Sequence, residues 1–387
     1  MSELGALFDF SSGKSIKPGG DGSYPAFGSN GLIGRSEKSL FDAGVIIGRV
    51  GAYCGSIAIS TSPFWASDNT IVALPKERLD LRFGYYLLTN AKLNRHAGGA
   101  AQPLLTQATI RPLRFPIPSL NHQRRIASIL GAYDDLIEVN RRRIALLEEM
   151  ARRLFEEWFV HFRYPGSGGK LRPSILGEIP QGWGTTTVDA ICPLIIRGVT
   201  PKYQLGSGRF IINQKVNRGS ELLVGELKEL DPELAVPPNK FARFGDVLVN
   251  CLGEGTIGRV HFFKERHREW AVDQHMSICR SATVDQSLYV FFSLEAEEGQ
   301  KRIASLKTGA TSMTMLNISA LRSFALVAPP TEMLARFSEL ALPSMRQTQA
   351  LTEINRNLSR TRDLLLPRLI SGELSVASAE RELEAVA

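Results

Sequence analysis

The feature that most constrains this chain is a repeat of order. Near the start stand Asp42-Ala43-Gly44-Val45-Ile46-Ile47, then Gly51-Ala52-Tyr53-Cys54-Gly55, then Trp65-Ala66-Ser67-Asp68. Roughly two hundred residues later Phe244-Gly245-Asp246-Val247-Leu248-Val249, Gly253 to Gly258 and Trp270-Ala271-Val272-Asp273 follow in the same order. Gly99-Ala100-Ala101, Leu113-Arg114 and Pro118 are answered by Gly309-Ala310-Thr311, Leu321-Arg322 and Pro329-Pro330. Such self-similarity means one structural unit built twice, and 387 residues hold two or three domains.

Behind each copy runs a heptad pattern. Ile126, Leu130, Tyr133, Ile137, Asn140, Ile144, Leu147, Ala151, Leu154 and Trp158 step by four and three without a break, the spacing of a coiled-coil seam. A helix running to about His161 spans ~60 Å. Arg141-Arg142-Arg143 and Glu148-Glu149 flank the seam as charges on an exposed face do. Asn140 is its one polar member: either a residue that fixes register at some cost in stability, or one at a wet crossing. After the second copy, Leu334, Phe337 and Ala341 begin another seam, and Leu351, Ile354, Leu358 and Leu365 continue it. Pro343 lies between and should kink or split that helix. Each apolar face needs a partner, and the simplest partner is the other helix.

The predicted architecture is therefore α+β: two globular units joined by two long helices in an antiparallel coiled coil, with an internal pseudo-twofold repeat. Residues 1–119 form the first unit and 120–161 the first spacer helix. Residues 162–182, broken by Pro165-Gly166-Ser167-Gly168-Gly169 and Pro173, form a linker. Residues 183–328 form the second unit, 329–374 the second helix and 375–387 a frayed tail. Within the units, 45–50 and 57–59 read as strands, and 81–93 and 287–306 as helical.

No catalytic or metal-binding constellation is legible. The cysteines Cys54, Cys192, Cys251 and Cys279 are scattered, with no CxxC and no histidine pair at zinc spacing, so buried free thiols are expected. Gly253-Glu254-Gly255-Thr256-Ile257-Gly258 matches GxGxxG but lies between two strand-like runs, where a dinucleotide site needs a strand and a helix. Glu226-Leu227-Lys228 resembles the end of a nuclease ExK site but lacks an upstream acidic partner. There is no apolar signal core and no run of the ~20 residues that span a bilayer, so a reduced, cytoplasmic protein is expected.

What remains is a surface for contacts. The net charge of +7 fits a polyanion. The excess is small within each unit, 12 basic against 8 acidic in the first and 17 against 15 in the second, so placement matters more than total. Lys14, Lys17, Arg35 and Arg49 lie in or beside the glycine-rich turns of the first unit, and Arg197, Lys202, Lys215, Arg218 and Arg259 in those of the second. Ser29, Asn30, Tyr53, Gln102 and Thr106 are polar candidates in the first unit, and Gln214, Asn217, Glu254, His275, Ser312 and Thr314 in the second. Lysine and arginine on phosphates would give affinity, and polar side chains at base edges sequence choice.

Several segments carry a resemblance. They are Tyr24-Pro25-Ala26-Phe27-Gly28-Ser29-Asn30-Gly31-Leu32-Ile33-Gly34, the run from Asp134-Asp135-Leu136-Ile137-Glu138 through Glu157-Trp158-Phe159-Val160-His161-Phe162, Leu176 to Trp183, and Leu364 to Val376. Together they resemble the specificity subunit of type I restriction–modification systems over nearly the whole chain. The resemblance implies a non-catalytic DNA-binding subunit whose two target-recognition domains each read half of a split site, with the coiled coil as the ruler between them. It further implies two methyltransferase (M) subunits that bind S-adenosylmethionine and methylate adenine N6 in a flipped-out base. Restriction (R) subunits using ATP and Mg would complete the complex. A self-sufficient nuclease or methyltransferase, and a protein–protein adaptor, are the alternatives.

Overall fold

Aliphatic, largely β-branched runs at 45–47 and 247–249 form central strands of two sheets, one in each of two units. The first unit comprises Met1–Asn140 with Ile354–Ala387, and the second Arg141–Glu353. This computed structural model describes all residues except 18, 20, 100, 101, 254, 266, 267, 309–313 and 385–387. Ala100-Ala101, the answering Gly309-Ala310-Thr311, and the contact candidates Glu254 and Ser312 thus lie outside the described residues.

In the first unit, β1 (Phe8–Ser12), β2 (Tyr24–Gly28), β3 (Gly31–Ser36), β4 (Gly44–Gly48), β5 (Ile57–Ser60), β6 (Trp65–Ala66) and β7 (Thr70–Pro75) make two sheets. One is antiparallel in the order β1-β7-β4-β5. The other is β3-β2-β6, with β2 and β6 parallel. In the second unit, β8 (Leu194–Arg197), β9 (Phe210–Ile212), β10 (Lys228–Glu229), β11 (Val247–Asn250), β12 (Val260–Phe262), β13 (Ala271–Val272) and β14 (Met276–Arg280) repeat both patterns. Their orders are β8-β14-β11-β12 and β10-β9-β13, with β9 and β13 parallel. Every strand has its counterpart seven labels on. The flanking helices Leu81–Asn90 and Val284–Glu295 follow β7 and β14, each with an N-cap side chain, Asp80 or Thr283, accepting a backbone N–H.

The long helices Leu120–Phe155 and Thr331–Ser371 are built into the unit cores. In the first unit Ile126, Ile129 and Leu130 join Leu366, Leu369 and Ile370 beneath Phe83 and Leu87. In the second, Ala151, Phe155, Trp158 and Phe159 join Phe337, Ala341 and Met345 around Tyr289 and Phe292. In the first unit Asp134 pairs with Arg362 and Asn140 with Asn355, so rising numbers on one helix meet falling numbers on the other and the pair is antiparallel there. The first seam lies on the packed face: Ile126, Leu130, Ile137, Asn140, Ala151 and Trp158 are buried, and Tyr133, Ile144, Leu147 and Leu154 half-buried.

Four expectations are corrected. Ile354, assigned to the second seam, is 45% exposed. The seam passes instead through Asn355, whose Oδ1 accepts Asn140 Nδ2 at 2.9 Å, while Leu351 is buried and Leu358 and Leu365 half-buried. Pro343 neither splits nor ends its helix. It sits on the exposed face, where the Glu339 carbonyl left without a donor can reach water, and buried Ala341 and Met345 hold the helix on either side. The stretch read as a linker contains a hairpin, Leu171–Ser174 with Gly177–Pro180. Ile179 and Trp183 anchor it in the second core, and Tyr164 stacks on Trp183 at 5.1 Å. The tail is helical over Val376–Glu384 because Val376 and Ala379, one turn apart, bury against the first core.

Candidate nucleic-acid interface

Both four-stranded sheets gather their loops at one end. In the first unit β1 and β4 finish there and β5 and β7 begin: Ser12 faces Ile71, Ile47 faces Ile57 and Gly48 faces Thr70. The Ser29-Asn30 turn of the β2–β3 hairpin joins this end, because Ser29 Oγ donates to Asn69 O at 2.6 Å and Ser56 Oγ donates to Ser29 O. The segment 102–106 joins as well: Gly51 N donates to Pro103 O at 3.1 Å and Leu105 N to Arg49 O at 2.8 Å. Only glycine fits at position 13, where a Cβ would lie 2.0 Å from Ser67 O.

The second unit repeats this end with other side chains. Arg197 faces Ser277, Asn250 faces Met276 and Val249 faces Val260. Gly198 answers Gly13, since a Cβ there would lie 1.9 Å from Val272 O. Gly258 N bonds Asn250 O at 2.9 Å, as Gly55 N bonds Gly48 O at 2.8 Å, and Leu316 N bonds Cys251 O as Leu105 N bonds Arg49 O. The GxGxxG run is thus the β11–β12 turn, answering the β4–β5 turn of the first unit. Lys228, of the nuclease-like tripeptide, sits in β10 with Nζ 4.7 Å above the Tyr203 ring.

The contact candidates divide by what their side chains hold. Lys14, Lys17, Asn30, Gln102, Lys215 and Arg218 are exposed, and Tyr53 is 60% exposed. Lys202 is exposed but paired with Asp231 at 2.5 Å, and its hydrogen bond holds that carboxyl below the usual carboxylate range. Gln214, His275 and Thr314 are half-buried, and His275 holds Asp273 Oδ1 both through its backbone N–H, at 2.8 Å, and through its ring Nδ1.

Of the remaining described candidates, all but Arg49 are committed to the scaffold. Arg35 holds the Gly22 and Ser23 carbonyls, away from the Ser29-Asn30 turn. Thr106 caps the short helix Gln107–Ile110. Arg197 Nη2 donates to Leu316 O at 3.0 Å, and Arg259 Nη1 to Asn217 O at 2.7 Å. Asn217 is fully buried, donating to Asn250 Oδ1 at 3.0 Å and accepting Gly219 N at 2.8 Å. Turn-rich segments leave many carbonyls without partners, and these side chains supply the donors.

Sequence reasoning passed over Asp68 and Asn69, both exposed at the loop end of the first unit. It also passed over Thr200 and Gln274, joined at 2.7 Å in the second. In the sequence Asp68 is a landmark of the repeat, and its place beside a strand start is the available signal.

Polar groups fix the long helices to each unit. In the first, Asp134 accepts the Tyr86 hydroxyl at 2.5 Å and pairs with Arg362, while Arg82 forks onto Asp135 at 2.7 and 3.0 Å. Burial, then the bond to Asp134, push the Tyr86 phenol far up, so it stays a donor. In the second, buried Lys264 donates to Ser220 O and Thr348 Oγ1, each at 3.2 Å. Lys264 lines a cavity of about 230 Å³ with Glu148, Arg152, Arg218 and Glu295. Burial lowers the Lys264 pKa and raises those of Glu148 and Glu295. All four cysteines are free and buried. No described helix is long and apolar enough to cross a membrane.

Comparison with known proteins places this architecture. Residues 1–149 match the family described as "Type I restriction modification DNA specificity domain". The MjaIX specificity subunit of a type I restriction enzyme from Methanocaldococcus jannaschii is 24% identical over 353 residues, covering 87% of this chain and 79% of that one. The EcoprrI specificity subunit from Escherichia coli is 34% identical over 114 residues, 29% of this chain and 28% of that one. The crystal structure of a type I restriction–modification S subunit from M. genitalium superposes with a TM-score of 0.59 at 14% identity, over 95% of each chain, and so shares the fold.

Proposed function

We propose that this chain, a specificity subunit of the type I restriction–modification family, reads a split DNA site, each unit taking one half. The observation that carries the proposal is the duplicated loop end: one strand order, one close-approach glycine after the edge strand, and different side chains displayed each time. Equal scaffolds with unequal displays suit two half-sites of different sequence. Exposed Lys14, Lys17, Lys215 and Arg218 supply phosphate contacts. Asn30, Tyr53, Gln102, Gln214 and Thr314 are the polar groups from which base contacts are drawn.

The chain itself is non-catalytic. In this reading its partners are double-stranded DNA, two methyltransferase subunits carrying S-adenosylmethionine, and restriction subunits carrying ATP and Mg. The antiparallel helix pair sets the gap between the half-sites and offers the methyltransferase subunits their docking faces. Co-expression with the cognate methyltransferase subunit in a methylation-free host, followed by genome-wide mapping of N6-methyladenine, tests this. Two fixed half-sites with a constant gap are expected. No new methylation from a formed, cofactor-binding complex overturns the reading.

A further inference from the structure

At the loop end of the second unit Arg197 and Arg259 have internal acceptors, Leu316 O and Asn217 O. Arg49, at the loop end of the first unit, has none among the described residues. It directly follows β4 and is half-buried, and its Nε is buried without a hydrogen-bond partner among the described residues. Its backbone is fully engaged: the N–H donates to Asn69 O at 3.0 Å, and the carbonyl accepts Leu105 N at 2.8 Å and Cys54 Sγ at 3.3 Å. The side chain is therefore held at its root among the loops, with Nε inside and without an acceptor among the described residues. Buried donors in folded proteins nearly always have partners, so an arginine that holds no such acceptor is not placed there to satisfy the fold.

The repeat shows what kind of acceptor. The carbonyl at position 49 accepts Leu105 N just as that at 251 accepts Leu316 N, so Cys251 is the counterpart of Arg49. Cys251 is buried, and its Sγ pairs with Ser277 Oγ at 3.1 Å. The DNA backbone is the same in both half-sites, and the bases are not. A group present in one unit and replaced by a buried thiol in the other follows what differs between the half-sites, the bases.

We propose that Arg49 is a specificity-determining residue whose outer guanidinium edge takes its acceptors from a base in the half-site read by the first unit. Guanine, with O6 and N7 side by side, is the base whose major-groove edge matches a guanidinium fork. The proposal rests on the reading of the chain as a DNA-binding specificity subunit.

The test maps N6-methyladenine written by the full complex with Arg49→Met, which keeps length and removes the donors, and with Arg49→Lys, which keeps the charge without the fork. Complex formation and melting temperature are measured alongside. Expected for both variants is loss of preference at one guanine of one half-site by about 10- to 100-fold, with the other half-site and the gap unchanged. A uniform fall in methylation at an unaltered motif overturns the proposal in favour of a phosphate contact. An unaltered motif at an unaltered level overturns it outright, as does loss of complex formation in both variants, which makes Arg49 a folding residue. Failure of the underlying reading looks different: the unsubstituted complex then writes no motif, and both claims fall.

Discussion

Asn140 and Asn355 meet in the seam of the long helices, and substituting them singly and together should give opposite results. Asn140 is 3% exposed and donates to Asn355 Oδ1 at 2.9 Å, while Asn355 Nδ2 reaches Ile137 O at 3.4 Å. Replacing Asn140 by leucine removes the donor and leaves Asn355 Oδ1 facing an apolar group. An unsatisfied polar atom costs about 1–3 kcal/mol when buried. Asn355 is only half-buried, which places Asn140→Leu at about 1–2 kcal/mol of lost stability. Asn355→Leu strands the better-buried Asn140 amide and should cost at least as much. The double substitution removes both polar groups and makes an ordinary leucine layer, and should be no less stable than the parent. Urea unfolding followed by circular dichroism on the four proteins closes the double-mutant cycle. A double variant that loses the sum of the two single losses would refute the pairing.

Three further outcomes are expected. Glu295 has a pKa raised by burial above its ordinary 4.5, with Arg152 and Lys264 opposing and Glu148 reinforcing the shift. Its native form therefore holds a proton that the unfolded chain releases, and stability falls as pH rises from about 4.5 through the raised value; Glu295→Gln should flatten that fall in melting temperature, and an identical profile would show that the glutamate is not desolvated. Pro343→Ala restores a donor to the Glu339 carbonyl and should stabilise the chain by about 1–3 kcal/mol in the same urea assay, an unchanged or lowered midpoint showing that the proline ring contributes to packing. Inserting one heptad into both long helices adds about 10 Å, so the methylated motif should widen by about three base pairs or be lost, and an unchanged gap would refute the ruler.

The repeat was legible because it is carried by side chains with few alternatives. Val45–Ile47 and Val247–Val249 are buried centre-strand residues, and the glycines around them serve turns. The first seam was legible because all but one of its members are apolar or aromatic. The second is one residue off at Ile354 alone, because its register there runs through Asn355, a polar residue that a search for apolar spacing skips, and Thr348 before it is polar too. Thr348 is 1% exposed, its hydroxyl satisfied by Met345 O and by Lys264. Breakers in 162–182 marked turns correctly, yet composition could not show that Ile179 and Trp183 would find room in a core. Whether an apolar residue finds a cavity is decided by parts of the chain far away in sequence.

The loop ends show the same limit from the other side. Asn217, Arg197 and Arg259 have the composition of readers and the hydrogen bonds of scaffold. Lys215 and Arg218 have the same composition, and both are exposed. What separates the groups is the supply of unsatisfied carbonyls nearby, a property of backbone conformation that residue type does not encode. A long polar side chain beside a starved carbonyl becomes structural, and its substitution should be felt first as lost stability. One without such a carbonyl remains available to a ligand. By that criterion sequence choice in the second unit falls to fewer side chains than its charge suggests, since Arg197, Asn217 and Arg259 are spent on the fold. In the first unit Arg49, Tyr53, Asn30 and Gln102 remain uncommitted, so single substitutions there should alter the written motif more often than substitutions at the equivalent loops of the second.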